Sequence, residues 1–233
     1  GRIPAIDALE NDFAHAVVGS ASGGVFKSVN AGVTWTPIFD NYGSASIGDV
    51  RIFQKDPNII WVGTGEECGG NSAAWGDGVY KSTDGGKTFT NVGLQDSYNI
   101  GSITLHPTDP NIAYVAAVGS IYGQIGQRGF FKTVDGGKTW TKLTNNLPSD
   151  AWTGAIEARM DRSNPNVLYV GFWERKRTAW SLNSGGIHGG IFKTTDGGKT
   201  FKKLTKGLPT GKTGKIGLAI ARSNPKVVMA HVE

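Results

Sequence analysis

The chain has 233 residues, among them 35 Gly, 9 Pro, 7 Trp, 6 Tyr and 10 Phe, with 38% hydrophobic and 18% charged residues. Plentiful aromatics and sparse charge exclude a disordered chain. Glycine without a three-residue period excludes collagen, and at this density it disfavours helices, where each interior Gly costs about 1 kcal/mol. The net charge of +5 is too mild to argue for a nucleic-acid partner. Cys68 is the one cysteine, so no disulfide framework or cysteine zinc site is expected, and a packed thiol is its simplest role. No apolar run reaches the roughly 18 residues of a membrane span. A start at Gly1 without Met or leader marks the chain as a processed product or a piece of something longer.

Taken in order, Gly1–Ala8 is expected to be a strand, and four similar segments follow. They are Ser28-Val-Asn-Ala-Gly-Val-Thr-Trp35, Ser82-Thr-Asp-Gly-Gly-Lys-Thr-Phe89, Thr133-Val-Asp-Gly-Gly-Lys-Thr-Trp140 and Thr194-Thr-Asp-Gly-Gly-Lys-Thr-Phe201, spaced by 54, 51 and 61 residues. A second marker alternates with them: Asp56-Pro-Asn58, Asp109-Pro-Asn111, Asn164-Pro-Asn166 and Asn224-Pro-Lys226. Each of the first three precedes a β-rich run such as Ile59–Val62, Ile112–Val115 or Val167–Val170. One unit therefore has four strands, exemplified by strand A at Gly101–His106, B after Asp109-Pro-Asn111, C at Gly129–Thr133 and D at Thr139–Leu143. Four antiparallel strands repeated about every 50 residues make a β-propeller blade. The expected architecture is an all-β, incomplete propeller with blades over residues 1–40, 45–93, 98–146 and 153–207 and the start of a fifth over 214–233.

The boxed turn has a physical role. Asp84, Asp135 and Asp196 can accept hydrogen bonds from N–H groups of the turn that follows, and the Gly-Gly pair supplies positive φ. Trp35, Phe89, Trp140 and Phe201 then open strand D and pack between sheets. A catalytic group is needed once and a turn in every blade, so the repeated carboxylate is structural. In the first box Asn30, Ala31 and Val33 replace Asp, Gly and Lys, and a looser turn is expected there.

The pattern S/T-x-D-x-G-x-T-W/F resembles the Asp-box, or BNR repeat. With the Asp-Pro-Asn turns, Gly63-Thr-Gly-Glu66 and the run Trp173 to Trp180, the chain resembles bacterial sortilin-like or "glycosyl hydrolase, BNR repeat" proteins along essentially its whole length. The resemblance implies an extracellular or periplasmic location; no cofactor is expected. An arc of about four and a half blades leaves sheet faces uncovered at each end, so further blades of the same protein or another subunit are expected to complete the propeller.

Function is expected on the long B–C loops, away from the boxes. They carry Glu66, Glu67, Trp75 and Asp77, then Tyr122 and Arg128, then Trp173, Glu174, Arg175, Arg177, Trp180 and His188. The D–A loops add Asp40, Tyr42, Asp96, Tyr98 and Trp152. Aromatic faces stack on sugars or side chains, and the three acids Glu66, Glu67 and Asp77 are candidates for glycoside cleavage, although solvated loop acids and rim salt bridges are the simpler reading of each residue. No metal site is expected. Two short segments resemble enzyme motifs. Arg2-Ile3-Pro4 is similar to the sialidase motif whose arginine binds a carboxylate, and Gly19–Lys27 is similar to xyloglucan-cleaving endoglucanases, with Ala21 at the position of their catalytic aspartate. The lysines at 193, 199, 202, 203, 206, 212 and 215 read as a solvated edge. The first reading is a non-catalytic scaffold or binding module for protein or glycan. The alternative is a glycan hydrolase, sialidase-like or endoglucanase-like, with catalytic residues partly outside this segment.

Overall fold

The computed structural model describes residues 2–67 and 73–233, so Cys68 lies outside the described residues. Among the described residues the regular structure is all β apart from one short 3-10 turn at Gln95–Ser97. The first sheet holds β1 (Ala5–Leu9), β2 (Asp12–Ser20), β3 (Gly24–Ser28) and β4 (Thr36–Pro37), paired antiparallel in chain order. The second holds β5 (Ile47–Ile52), β6 (Ile60–Thr64), β7 (Val79–Ser82) and β8 (Thr90–Asn91). The third holds β9 (Ile100–Leu105), β10 (Ala113–Ala117), β11 (Gly129–Thr133) and β12 (Thr141–Leu143). The fourth holds β13 (Thr153–Met160), β14 (Leu168–Arg177), β16 (Gly190–Thr194) and β17 (Lys202–Lys203), with β15 (Leu182–Ser184) added to the far end of β14. A pair, β18 (Ile216–Ile220) and β19 (Val228–Val232), makes the fifth. The first strands β1, β5, β9, β13 and β18 pack successively against one another, as radial blades around an axis require.

The second strands explain why the sheets stack. β6 and β10 are buried at every residue because a neighbouring sheet covers each face. Apolar side chains must therefore point both ways, which Ile60-Trp-Val62 and Ala113-Tyr-Val115 satisfy. Trp61 shares one core with Ile103, Val115 and Phe131 of the third sheet, and Tyr114 another with Leu168, Val170 and Phe172 of the fourth. Each fully buried side chain of this size contributes about 1.5–3 kcal/mol. The inner strands approach so closely that a side chain has no room at Gly48 or Gly101. A Cβ there would fall 1.9 Å from the Ile100 carbonyl oxygen and 2.1 Å from that of Ile156, respectively.

One element differs from expectation. The segment Trp173–Gly190 is not a loop in its first half, because β14 runs on to Arg177 and turns at Thr178–Ser181 into β15. The result is a projecting hairpin.

Candidate functional site

The two ends of the sheets are built from different chemistry. At one end lie the boxes. Asp84 Oδ1 accepts from the Lys87 and Thr88 N–H groups at 3.0 and 2.9 Å, and its Oδ2 accepts from the Thr88 hydroxyl at 2.6 Å. Asp135 and Asp196 repeat this with Thr139 and Thr200. These bonds, the threonine hydroxyl first, hold the Asp135 carboxyl down at about 2 and the other two lower still. Asn30 makes the same turn: its Oδ1 accepts from Thr34 N–H at 2.9 Å and its Nδ2 donates to the Thr34 hydroxyl. The first box is thus not looser, because an amide oxygen accepts as a carboxylate does and Ala31 adopts φ 57° in place of Gly.

The box turns are also tied across sheets by lysines that the sequence reading passed over. Lys27, Lys81 and Lys132 each donate to a box carbonyl of the next sheet, Gly85, Gly136 and Gly197, at 2.7, 3.3 and 2.9 Å. Burial lowers the pKa of all three. The signal was present: an aromatic followed by Lys precedes the Ser or Thr of every box. Phe89 packs on Phe39 and Tyr42, Trp140 donates from Nε1 to the Val92 carbonyl at 2.7 Å, and Phe201 meets Phe130. Trp35 is instead exposed.

At the opposite end lies the rim. Trp75 is 52% exposed and meets Tyr98 edge-on at 5.3 Å and Tyr122 at 6.4 Å, so three rings from two sheets and their connection form one aromatic face. Trp180, 88% exposed, sits at the turn of the β14–β15 hairpin. Tyr42, by contrast, belongs to the core between the first two sheets.

The remaining rim residues need correction. Trp173 and Arg175 are 2% and 1% exposed, because alternate residues of the extended β14 point inward. Arg175 lies over the Trp173 ring at 4.6 Å and donates to the Glu67 carbonyl at 3.0 Å. Arg128 is buried too, donating to the backbone oxygens of Ser120, Gly123 and Trp152, and desolvation pushes its pKa down to about 10. These three hold loops in place. Arg177 is half-buried, and Glu174 accepts from His188 Nδ1 at 2.9 Å, with Asp150 at 3.8 Å from the same ring nitrogen.

The candidate acids are all engaged. Glu66 is no solvated loop acid: it is fully buried and takes a bidentate pair from Arg2 at 2.5 and 2.8 Å. The arginine of Arg2-Ile3-Pro4 therefore serves an internal carboxylate. Glu67 pairs with Lys215 at 2.9 Å, and Asp77 accepts from the Tyr80 hydroxyl at 2.5 Å and the Thr64 hydroxyl at 3.2 Å.

A third charged region, unseen in the sequence reading, lines the axis between the inner strands. Asp7 accepts from Ile52 N–H at 2.8 Å, Asp49 from Ile103 N–H at 2.7 Å, and the Ser102 hydroxyl from Ala158 N–H at 2.9 Å. Inner strands have no backbone partner on the axial side, so side-chain acceptors of one blade satisfy N–H groups of the next. Arg51 pairs with Asp49 at 3.0 Å and Arg159 with Glu157 at 2.5 Å. Burial raises Asp7 and Asp49 against these partners and pushes Glu157 up to about 7 against Arg159. The clue was Asp-x-Arg and Glu-x-Arg inside otherwise apolar strands. Among the described residues no group of three or more His, Cys, Asp or Glu could hold a metal. Among them, too, no helix is long and apolar enough to cross a membrane.

A family model described as Sortilin-Vps10 (sortilin, neurotensin receptor 3) matches residues 77–229. A probable oligoxyloglucan-reducing end-specific xyloglucanase of Neosartorya fischeri is 26% identical over 185 residues, covering 73% of this chain and 20% of that protein. A xyloglucanase of Paenibacillus sp is 30% identical over 137 residues, 54% of this chain and 12% of that protein. An ancestral GH74 enzyme superposes on 100% of this chain and 27% of its own, with TM-score 0.73 and 23% identity. The GH74 xyloglucanase from Xanthomonas campestris gives TM-score 0.68 and 16% identity over 99% of this chain and 35% of its own. The chain thus spans a fifth or less of the curated relatives it matches.

Proposed function

The chain belongs to the sortilin-Vps10 family, and on that premise we propose that it is part of a glycan hydrolase of the xyloglucanase type. In this reading its rim binds a β-glucan main chain, outside the cell or in the periplasm. The observation that carries the proposal is the cluster of exposed Trp75 and Tyr122 around half-buried Tyr98, with Trp180 projecting beyond. Ring faces offered to solvent suit the apolar faces of pyranose rings and need no charge. Two similar proteins named xyloglucanase support the choice of sugar over peptide.

Within this arc the rim binds and positions. Ala21 stands where the endoglucanase pattern has an aspartate, and Glu66, Glu67 and Asp77 are held by Arg2, Lys215 and Tyr80. Cleavage by two carboxyl groups about 5–10 Å apart then needs at least one acid from outside this segment. The first and fifth sheets expose Ile6, Phe13, Val227 and Met229, which suits contact with further blades or another subunit. The same engaged acids favour a second reading, a binding propeller without catalysis.

A xyloglucan oligosaccharide titrated into the propeller assembled with the blades or subunit that complete it, followed by tryptophan fluorescence, and a reducing-end assay of the same assembly on the polymer test both. Saturable binding lost in Trp75→Ala, together with product release, supports the hydrolase. Binding without release supports the second reading. Absence of binding contradicts both.

A further inference from the structure

The axial cavity opens at the box end, where the A–B turns of all five sheets converge on about 660 Å³. Five charged residues of its wall are basic, Arg51, Lys55, Arg159, Arg162 and Arg222, and two are acidic, Asp7 and Glu10. Arg51 and Arg159 are matched inward by Asp49 and Glu157. The other two arginines are not matched one to one.

Arg162 and Arg222 occupy the same repeat position, in Arg162-Ser-Asn-Pro165 and Arg222-Ser-Asn-Pro225. Both reach across the axis to the first sheet and meet a single atom, Oε1 of Glu10, with Arg222 Nη1 at 3.0 Å. In the second sheet the corresponding residue is Gln54, which fixes the Glu10 turn: its Oε1 accepts from Glu10 N–H at 2.9 Å and its Nε2 donates to the Ala8 carbonyl. One carboxylate therefore bridges two guanidinium groups, and burial together with the charge of Arg222 lowers the pKa of Arg162 against the opposing pull of Asp7 on the same wall. Lys55 and His106 line the same wall, and His106 Nδ1 accepts the Asp109 N–H at 3.0 Å, which leaves the ring proton on Nε2.

Two planar forks share one protein oxygen while their side chains stay 46% and 67% exposed, so water meets the remaining donors and is what an anion would displace. A tetrahedral oxyanion offers several acceptor oxygens and two negative charges, and it matches the fork geometry of both arginines at once. We propose that the box-end mouth of the channel binds a phosphate- or sulfate-class oxyanion between Arg162 and Arg222. Glu10 is the internal competitor that this anion displaces. The site lies at the opposite end of the sheets from the aromatic rim and stands or falls independently of it.

The test is a calorimetric titration of the purified protein with inorganic phosphate and, separately, with glucose 6-phosphate. Both should bind the unsubstituted protein. Equal affinity assigns the site to the free ion, and a tighter ester assigns it to a phosphorylated ligand. Glu10→Gln should bind about tenfold tighter, because it removes the competitor, and Arg162→Gln/Arg222→Gln should bind at least about tenfold weaker. Lys202→Gln, on the exposed outer strand, should bind as the unsubstituted protein does. Thermal unfolding of each variant without anion checks that the comparison is between folded proteins. No binding by either the unsubstituted protein or Glu10→Gln, weaker binding by Glu10→Gln, or equal loss in Lys202→Gln overturns the proposal.

Discussion

The two ends of the sheets are made from the same strands yet follow opposite rules. At the box end the blades repeat one solution: a carboxylate or amide on each of the four box turns, a lysine from each of the first three sheets on the next blade's glycine carbonyl, and in the second to fourth boxes an aromatic ring packed inward. At the rim no two connections agree. One holds a buried Glu66 on a half-exposed Arg2, another a buried Arg128 clamp, and a third extends into a hairpin with Trp180 at its turn. Repetition marks what each blade needs to stack, and departure from repetition marks where a ligand can be recognised.

That contrast can be broken experimentally, and the largest effect is expected on the axis. Asp49→Ala removes the acceptor of Ile103 N–H and the partner of Arg51 together, and should cost about 3–5 kcal/mol in denaturant unfolding. A loss below about 1 kcal/mol would mean that inner strands do not need side-chain latches.

Glu157 gives the next effect, and its sign is specific. Its folded pKa of about 7 lies above the usual 4.5, so the folded state holds the proton more tightly. Stability should be highest below pH 4.5 as far as this group is concerned, fall as pH rises toward 7, and then level, by roughly 3 kcal/mol. The Asp135 carboxyl, held at about 2 against the usual 3.8, acts oppositely, stabilising above pH 3.8 and losing that contribution as pH falls through 2. Glu157→Gln should flatten the slope between pH 4.5 and 7 and leave the acid limb unchanged.

At the rim, Trp75→Ala should weaken oligosaccharide affinity about fivefold to tenfold. The exposed Trp180→Ala should leave thermal stability unchanged while weakening affinity less than Trp75→Ala does. Equal losses of stability in both would make the rim rings part of the scaffold.

The repeat was legible because turns and blade-facing strands impose local patterns: boxes, Asx-Pro turns and strand Gly129–Thr133 recur at visible spacing. The rim was legible only in part. Trp75, Tyr122 and Trp180 stand exposed, whereas Trp173, Arg175 and Arg128 are buried. Counting loop residues cannot tell an extended strand from a loop, and the continuation of β14 to Arg177 decided which of its side chains turned inward. The axial network was hidden for another reason. Asp7, Asp49 and Glu157 sit in strands whose partners come from different blades, so no local spacing connects them. Lys27, Lys81 and Lys132 were visible as a repeat, but their acceptors lie 58, 55 and 65 residues away.

The most direct measurement sets the two ends against each other in one experiment. Oligosaccharide affinity and melting temperature are recorded for the box variants Asp135→Ala and Asp196→Ala beside the rim variants Trp75→Ala and Tyr122→Ala. The expected result is a clean division: box variants melt lower and bind as before, while rim variants melt as before and bind more weakly. Weakened binding in the folded box variants, with the rim variants binding normally, would contradict the assignment of stacking to the repeated end and recognition to the rim.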